Sequence, residues 1–216
     1  MSVVIAVKDK NTGAVTVGCD SQVSCGNLKN KLNGDSCKIW RYNGISTIII
    51  GGVGFLRDIQ LVQTCHDLID ELDILKMKVD YEYCVTKLFT RIYKLMTDYN
   101  RVTISKEGVP SANIESKFLI AFADKAFIID NDGAVTEIAD YLVLGSGEEV
   151  ASGVLENNKN KAPKTRIIEA IEACAERTLF VNKDITVLST IDGFSKQQLK
   201  ALKGEYEKDL QQISKR

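Results

Sequence analysis

The sequence has one histidine, two prolines, one tryptophan and no C-x-x-C pair among its six cysteines. A single His66 leaves too few imidazoles for a histidine-rich metal site. Cys19, Cys25, Cys37, Cys65, Cys84 and Cys174 are not spaced as zinc ligands, so neither metal nor cofactor is implied. The plain reading of these cysteines is reduced thiols packed as small hydrophobes. His66 shares a helical spacing with Ile59, Val62 and Ile69, which makes it a packed helical histidine rather than a catalytic base. Charge of one sign is also missing. The 28 basic and 29 acidic residues leave a formal net charge of −1, with no basic stripe interleaved with aromatics. Such a chain has no field with which to gather nucleic acid, and its partners are expected to be protein or peptide. No apolar run approaches a membrane span. The opening run Val3 to Val7 is too short for a secretory h-region and has no basic segment before it, so a cytoplasmic protein is expected.

With 44% apolar and 26% charged residues in 216, the chain has the composition of a soluble globular protein and reads as one domain over 1–216. The β-branched run Ser2-Val3-Val4-Ile5-Ala6-Val7 predicts a buried strand, returned by Asp9-Lys10-Asn11-Thr12-Gly13 into a second strand, Ala14 to Cys19. A polar stretch from Ser21 to Asp35 reads as a loop, followed by strands at Lys38 to Tyr42 and Ser46 to Ile50. Two amphipathic helical segments come next. The first sets Phe55, Ile59, Val62, Ile69 and Leu72 on one face; the second sets Val85, Leu88, Phe89, Ile92, Met96 and Tyr99. Residues Arg101 to Glu115 read as a connection. Strands are predicted at Phe118 to Ala123, Ala126 to Asp130 and Ala134 to Ile138, then helices at Glu148 to Leu155 and Lys164 to Arg177, then a last strand at Asp184 to Ser189. From about residue 194 a charged, helix-prone tail remains. Strands and helices come in blocks without regular alternation, which favours an α+β fold.

Ser2 carries the chemistry that can be argued without a histidine. If Met1 is removed, Ser2 has both a hydroxyl and a free α-amine, a nucleophile and a base in one residue. An α-amine titrates at about 7.7–8.0 and can take the hydroxyl proton near neutrality.

The chain resembles the proteasome β-subunit family, and within it the peptidase of the bacterial two-component HslVU protease. The residues that carry this are Ser2 to Val7, Gly18-Cys19-Asp20-Ser21-Gln22, Cys37-Lys38-Ile39-Trp40-Arg41-Tyr42, Gly51-Gly52-Val53-Gly54-Phe55-Leu56-Arg57-Asp58 and Leu144-Gly145-Ser146-Gly147, in that order. The resemblance implies an N-terminal-nucleophile (Ntn) hydrolase: a four-layer αββα sandwich of two mainly antiparallel sheets flanked by helix pairs. It implies Ser2 as nucleophile, Lys38 as the cation that lowers the pKa of its hydroxyl and amine, and Asp20 as the carboxylate that orients Lys38. Gly54 would offer a backbone N–H to the oxyanion, and Ser146 would hydrogen-bond the N-terminal amine. Val23, Trp40, Gly52 and Leu56 fall near the family's first specificity pocket, which implies apolar P1 residues. Serine stands where threonine is usual, and Glu176, in Ala175-Glu176-Arg177-Thr178, where aspartate is usual. The implied activity is hydrolysis of unfolded polypeptides in a homo-oligomeric ring or stacked assembly fed by a AAA+ unfoldase. Two other readings stay open: a catalytically inactive assembly subunit, and a small-molecule Ntn amidase.

Overall fold

β-Branched and aromatic runs form the sheets of the computed structural model, which describes residues 2–25, 28–105 and 111–192. Val3–Lys8 (β1) and Val15–Asp20 (β2) are joined by a turn in which the Asp9 carboxylate accepts from the amides of Asn11 and Thr12. Then come Gln22–Cys25 (β3), Leu28–Lys31 (β4), Ile39–Arg41 (β5) and Ile48–Val53 (β6). Helices Leu56–Thr64 (α1), Glu71–Leu75 (α2), Tyr81–Tyr83 (α3) and Phe89–Asp98 (α4) follow. The chain continues as Val102–Ser105 (β7), Ser111–Ile114 (β8), Lys117–Phe122 (β9), Lys125–Ile129 (β10), Val135–Glu137 (β11) and Tyr141–Gly145 (β12). Glu148–Asn157 (α5), Pro163–Arg177 (α6) and Ile185–Ser189 (β13) complete it.

One sheet has the order β12-β1-β2-β13, a second has β11-β10-β9-β6-β5, and the described strand pairs are antiparallel. This is an α+β fold. The period of two along β1 divides its side chains between two cores. Val3, Ile5 and Val7 pack with Ala151, Leu155, Ile167, Ala170 and Ile171 of α5 and α6. Val4 and Ala6 pack with Ile49, Leu119 and Ala121 of the other sheet. In β6, Ile48 and Ile50 point instead at Ile59 and Val62 of α1 and Ile92 of α4. With both faces covered, these strands read as continuous apolar runs, and each fully buried Val or Ile stabilises by roughly 1.5–3 kcal/mol. Among the described residues no helix is long and apolar enough to cross a membrane.

The structure departs from the sequence expectations in several places. The Ser21 to Asp35 loop contains the β3–β4 ribbon, and the Arg101 to Glu115 connection contains the β7–β8 ribbon. Both are short, polar and outside the main sheets, so no apolar alternation marks them. Tyr141–Gly145, not anticipated as a strand, is the edge of the first sheet.

The first helical segment breaks at Cys65, whose backbone is extended, and Phe55 and Leu72 are exposed. His66 is therefore not a packed helical residue. It lies exposed beyond α1, with Nδ1 at 2.7 Å from Asn43 Oδ1, while its carbonyl accepts from the Tyr42 hydroxyl. In the second segment a π-type turn at Cys84–Leu88 joins α3 to α4. The wider turn keeps residues four apart in line, so Cys84, Leu88, Ile92 and Met96 are buried while Val85 and Tyr99 are exposed. The charged tail from about 194 lies outside the described residues.

Candidate active site

Asp20 ends β2 with a carboxylate that is fully buried and fully bonded. Its Oδ1 accepts from Lys38 Nζ at 2.6 Å and from the Val3 amide at 3.0 Å. Its Oδ2 accepts from the amides of Gln22 at 3.0 Å and Asn182 at 3.4 Å. Lys38 has 1% and Asp20 0% side-chain exposure. A buried ion pair is tolerated only when the remaining lone pairs are satisfied, and here backbone donors do that. Lys38 is fixed from the other side as well, since its carbonyl accepts from the Gly52 amide at 3.0 Å. Two bonds to one oxygen bring the Lys38 ammonium and the amide of residue 3 into the same small volume, next to Ser2.

Ser2 is 7% exposed. Its carbonyl accepts from the Ser146 amide at 2.9 Å, and the Ser146 hydroxyl lies 3.4 Å from the same oxygen. Ser146 itself is exposed, at the turn from β12 into α5. Gly145 makes the approach possible: its φ is +104°, and a β-carbon there would stand 2.0 Å from the Ser2 carbonyl oxygen. Only glycine fits both demands.

Gly54 follows β6 with φ +127°, and a β-carbon on it would lie 2.5 Å from Ser116 Oγ. Gly54 is exposed and is held through its neighbour. The Phe55 amide donates to Ser116 Oγ at 3.1 Å, and Ser116 donates to Asp58 Oδ2 at 2.8 Å. Arg101 Nε donates to the other Asp58 oxygen at 2.5 Å. Asp58 is completely buried, so a buried, charge-assisted network fixes the glycine turn. Asp58 stands within a motif noted in the sequence, but Ser116 and Arg101 carry no local signal.

The structure thus brings Ser2, Asp20, Lys38 and Ser146 together and ties Gly54 to a separate network one strand away. Trp40 and Gly52 face the core between the second sheet and α1: a β-carbon on Gly52 would meet Ile59 and Phe118, and Trp40 belongs to the same cluster. Val23 and Leu56 are half-buried. Glu176 is not part of this arrangement. It is exposed and pairs with Lys183 at 2.9 Å, because it falls on the outer face of the last turn of α6. The residue from that connection that does reach Asp20 is Asn182, whose side chain also accepts from the Ser21 amide at 3.3 Å. Nothing in the local sequence marks its contact with Asp20, which is made through a backbone amide.

No family model matches the sequence, and no curated protein matches it. Solved structures do. The chain is similar to eukaryotic HslV from Trypanosoma brucei, at 20% identity and TM-score 0.62, over 87% of this chain and 98% of that one. It is similar to BPH of Thiobacillus denitrificans in complex with epoxomicin, at 15% identity and TM-score 0.67, over 87% and 97%. BPH without that ligand gives 16% identity and TM-score 0.64, over 88% and 97%. The likeness spans nearly the whole of those chains and establishes the fold. This chain is built as HslV and BPH chains are.

Proposed function

We propose that the chain is a proteasome-type Ntn peptidase subunit, with the four-layer αββα arrangement of its class, acting through Ser2 once Met1 is removed. The observation that carries the proposal is the shared Asp20 oxygen, which holds Lys38 Nζ and the Val3 amide together beside the second residue. In this reading the freed α-amine takes the Ser2 hydroxyl proton as Oγ attacks a peptide carbonyl. Lys38, held in place by Asp20, favours the alkoxide-like oxygen. The oxyanion that forms is met by the Gly54 amide, a contact of a kind worth about 2.7–4 kcal/mol. The amine leaving group takes the proton back, and water then hydrolyses the ester on Ser2. Ser146 positions the N-terminal residue through its carbonyl. Substrates are unfolded polypeptides with apolar P1 residues, delivered by a AAA+ unfoldase into a homo-oligomeric ring in the cytoplasm.

The BPH structure with epoxomicin, an epoxyketone, supplies the probe. Such a compound reacts with a hydroxyl and a free amine on one residue. Intact-mass measurement of protein from its native source should show Met1 lost and one covalent adduct on Ser2. A second reading, an inactive assembly subunit, draws support from the outward-facing Glu176. It predicts retained Met1 and no adduct. Turnover of small amides by an assembly without a chamber would instead favour an Ntn amidase.

A further inference from the structure

Cys19 and Cys37 are the chain neighbours of Asp20 and Lys38; Cys19 lies in β2 and Cys37 in the segment that leads into β5, and the two face one another. Cys19 is completely buried in the core between the two sheets, and Cys37 is half-buried at its margin. Their sulfurs are 3.6 Å apart. We propose that Cys19 and Cys37 form a peroxide-reactive dithiol that closes to a disulfide beside the Asp20–Lys38 pair.

The other cysteines whose surroundings are described lack this arrangement. Burial pushes the Cys84 thiol up to about 12 and Cys174 up to about 11, and burial with the Asp67 carboxylate holds Cys65 at about 11. Each is a packed, protonated thiol at neutral pH. Cys37 differs. When Cys37 is ionised its sulfur accepts from the Cys19 thiol, and the amides of Ile39 and Lys38 with the Thr186 hydroxyl add to this, lowering it to about 6 against the opposing effect of burial. Cys19, deeper and acting as donor, is raised well above its ordinary value. Cys37 is then the nucleophile and Cys19 the resolving thiol.

The oxidant is hydrogen peroxide. The Cys37 thiolate attacks one peroxide oxygen, the O–O bond breaks, and the departing hydroxide takes a proton to become water, leaving a sulfenic acid. Cys19 attacks that sulfur, the S–O bond breaks, and hydroxide leaves with the Cys19 proton as a second water. Two thiols are oxidised to one disulfide and one peroxide is reduced. Closing the bond requires the sulfurs to move from 3.6 Å to about 2.05 Å. The shift falls on the end of β2 and on the segment leading into β5, which carry Asp20 and Lys38. The disulfide form should therefore react more slowly at Ser2, a consequence that rests on the proposed function.

The test uses the whole chain, fully reduced and then exposed to hydrogen peroxide. Remaining thiols are blocked with N-ethylmaleimide in denaturant, and the digest is read by mass spectrometry. The expected result is a peptide pair joined through Cys19 and Cys37, with two maleimides fewer than in the reduced control and both restored by dithiothreitol. In Cys19→Ala, Cys37 should stop at the sulfenic acid and be captured by dimedone. Both thiols still alkylated in the wild type, or Cys37 linked to another cysteine, would overturn the proposal. Epoxyketone labelling of Ser2 should fall at least tenfold in the disulfide form and recover on reduction; an unchanged rate overturns the coupling to the site. If reduced protein takes no adduct at all, the peptidase reading fails while the disulfide result stands on its own.

Discussion

Lys38 Nζ and Asp20 Oδ1 are 2.6 Å apart, and both side chains are buried. Removing the lysine would leave a buried carboxylate with backbone donors only. Lys38→Ala should therefore destabilise the fold by about 3–5 kcal/mol, far more than the ~0–1 kcal/mol of a surface pair. Asp20→Asn should also destabilise, because an amide group presents a donor to the amides of Gln22 and Asn182 or to Lys38 and Val3. Urea unfolding midpoints at constant slope check both, and a loss under 1 kcal/mol for Lys38→Ala would contradict the geometry.

Gly145→Ala tests the close approach of β12 to Ser2. A methyl group would enter at 2.0 Å from the Ser2 carbonyl oxygen on a backbone with φ +104°. Overpacking costs about 1–3 kcal/mol, and the strained backbone adds roughly 1–3 kcal/mol. Gly153→Ala is the matched control, since nothing lies within 4 Å of a β-carbon there and α5 gains a better helix former. Thermal unfolding should place the first variant well below the wild type and the second at or above it.

How much of this could be read from the residues follows from where each signal resides. Strands buried on both faces, such as β1 and β6, announce themselves as β-branched runs, and Asp20 and Lys38 stand beside such strands at the points where apolar sequence gives way. Among their described side chains the β3–β4 and β7–β8 ribbons bury only an end, Gln22 in one and Ile114 in the other, so no repeated apolar period marks them and polar sequence there reads as loop. The π-type turn at Cys84–Leu88 shifts which residues face inward, which a fixed period of 3.6 cannot represent. Ser116 and Asn182 meet the site only through tertiary hydrogen bonds, from chain positions 58 and 162 residues away from their partners Asp58 and Asp20. The family likeness around Glu176 is a stretch of four residues, Ala175 to Thr178, and one helical turn decides which way such a residue faces.

Ser116→Ala should separate positioning from folding. It removes the acceptor of the Phe55 amide and a donor to buried Asp58, while the Arg101–Asp58 pair remains. The expected loss of stability is about 1–3 kcal/mol for the unsatisfied groups. If the Gly54 turn serves the oxyanion, kcat should fall roughly tenfold or more with KM little changed, as expected when an interaction confined to the transition state is weakened. A rise in KM at unchanged kcat would instead assign the turn to substrate binding. Ser116→Thr, which keeps the hydroxyl, should recover part of the rate.

The pH dependence of Cys37 alkylation separates a donated hydrogen bond from simple exposure. Cys37 is lowered to about 6, and the first cause is the Cys19 thiol, followed after burial by the Ile39 and Lys38 amides and the Thr186 hydroxyl. Because the thiolate is the reactive form, iodoacetamide should modify Cys37 at a rate that is low below pH 6, half-maximal near 6 and level by neutrality. Cys65, raised to about 11, should still be gaining rate at the alkaline end of the titration. Cys19→Ala removes the leading donor, so the Cys37 midpoint should move up toward the ordinary thiol range while its plateau rate stays the same or rises. Unfolding in urea should bring every cysteine to a common midpoint near 8.5. An unshifted Cys37 midpoint in Cys19→Ala would mean that the backbone amides and the Thr186 hydroxyl hold the thiolate by themselves, and Cys19 would then have no part in activating its neighbour.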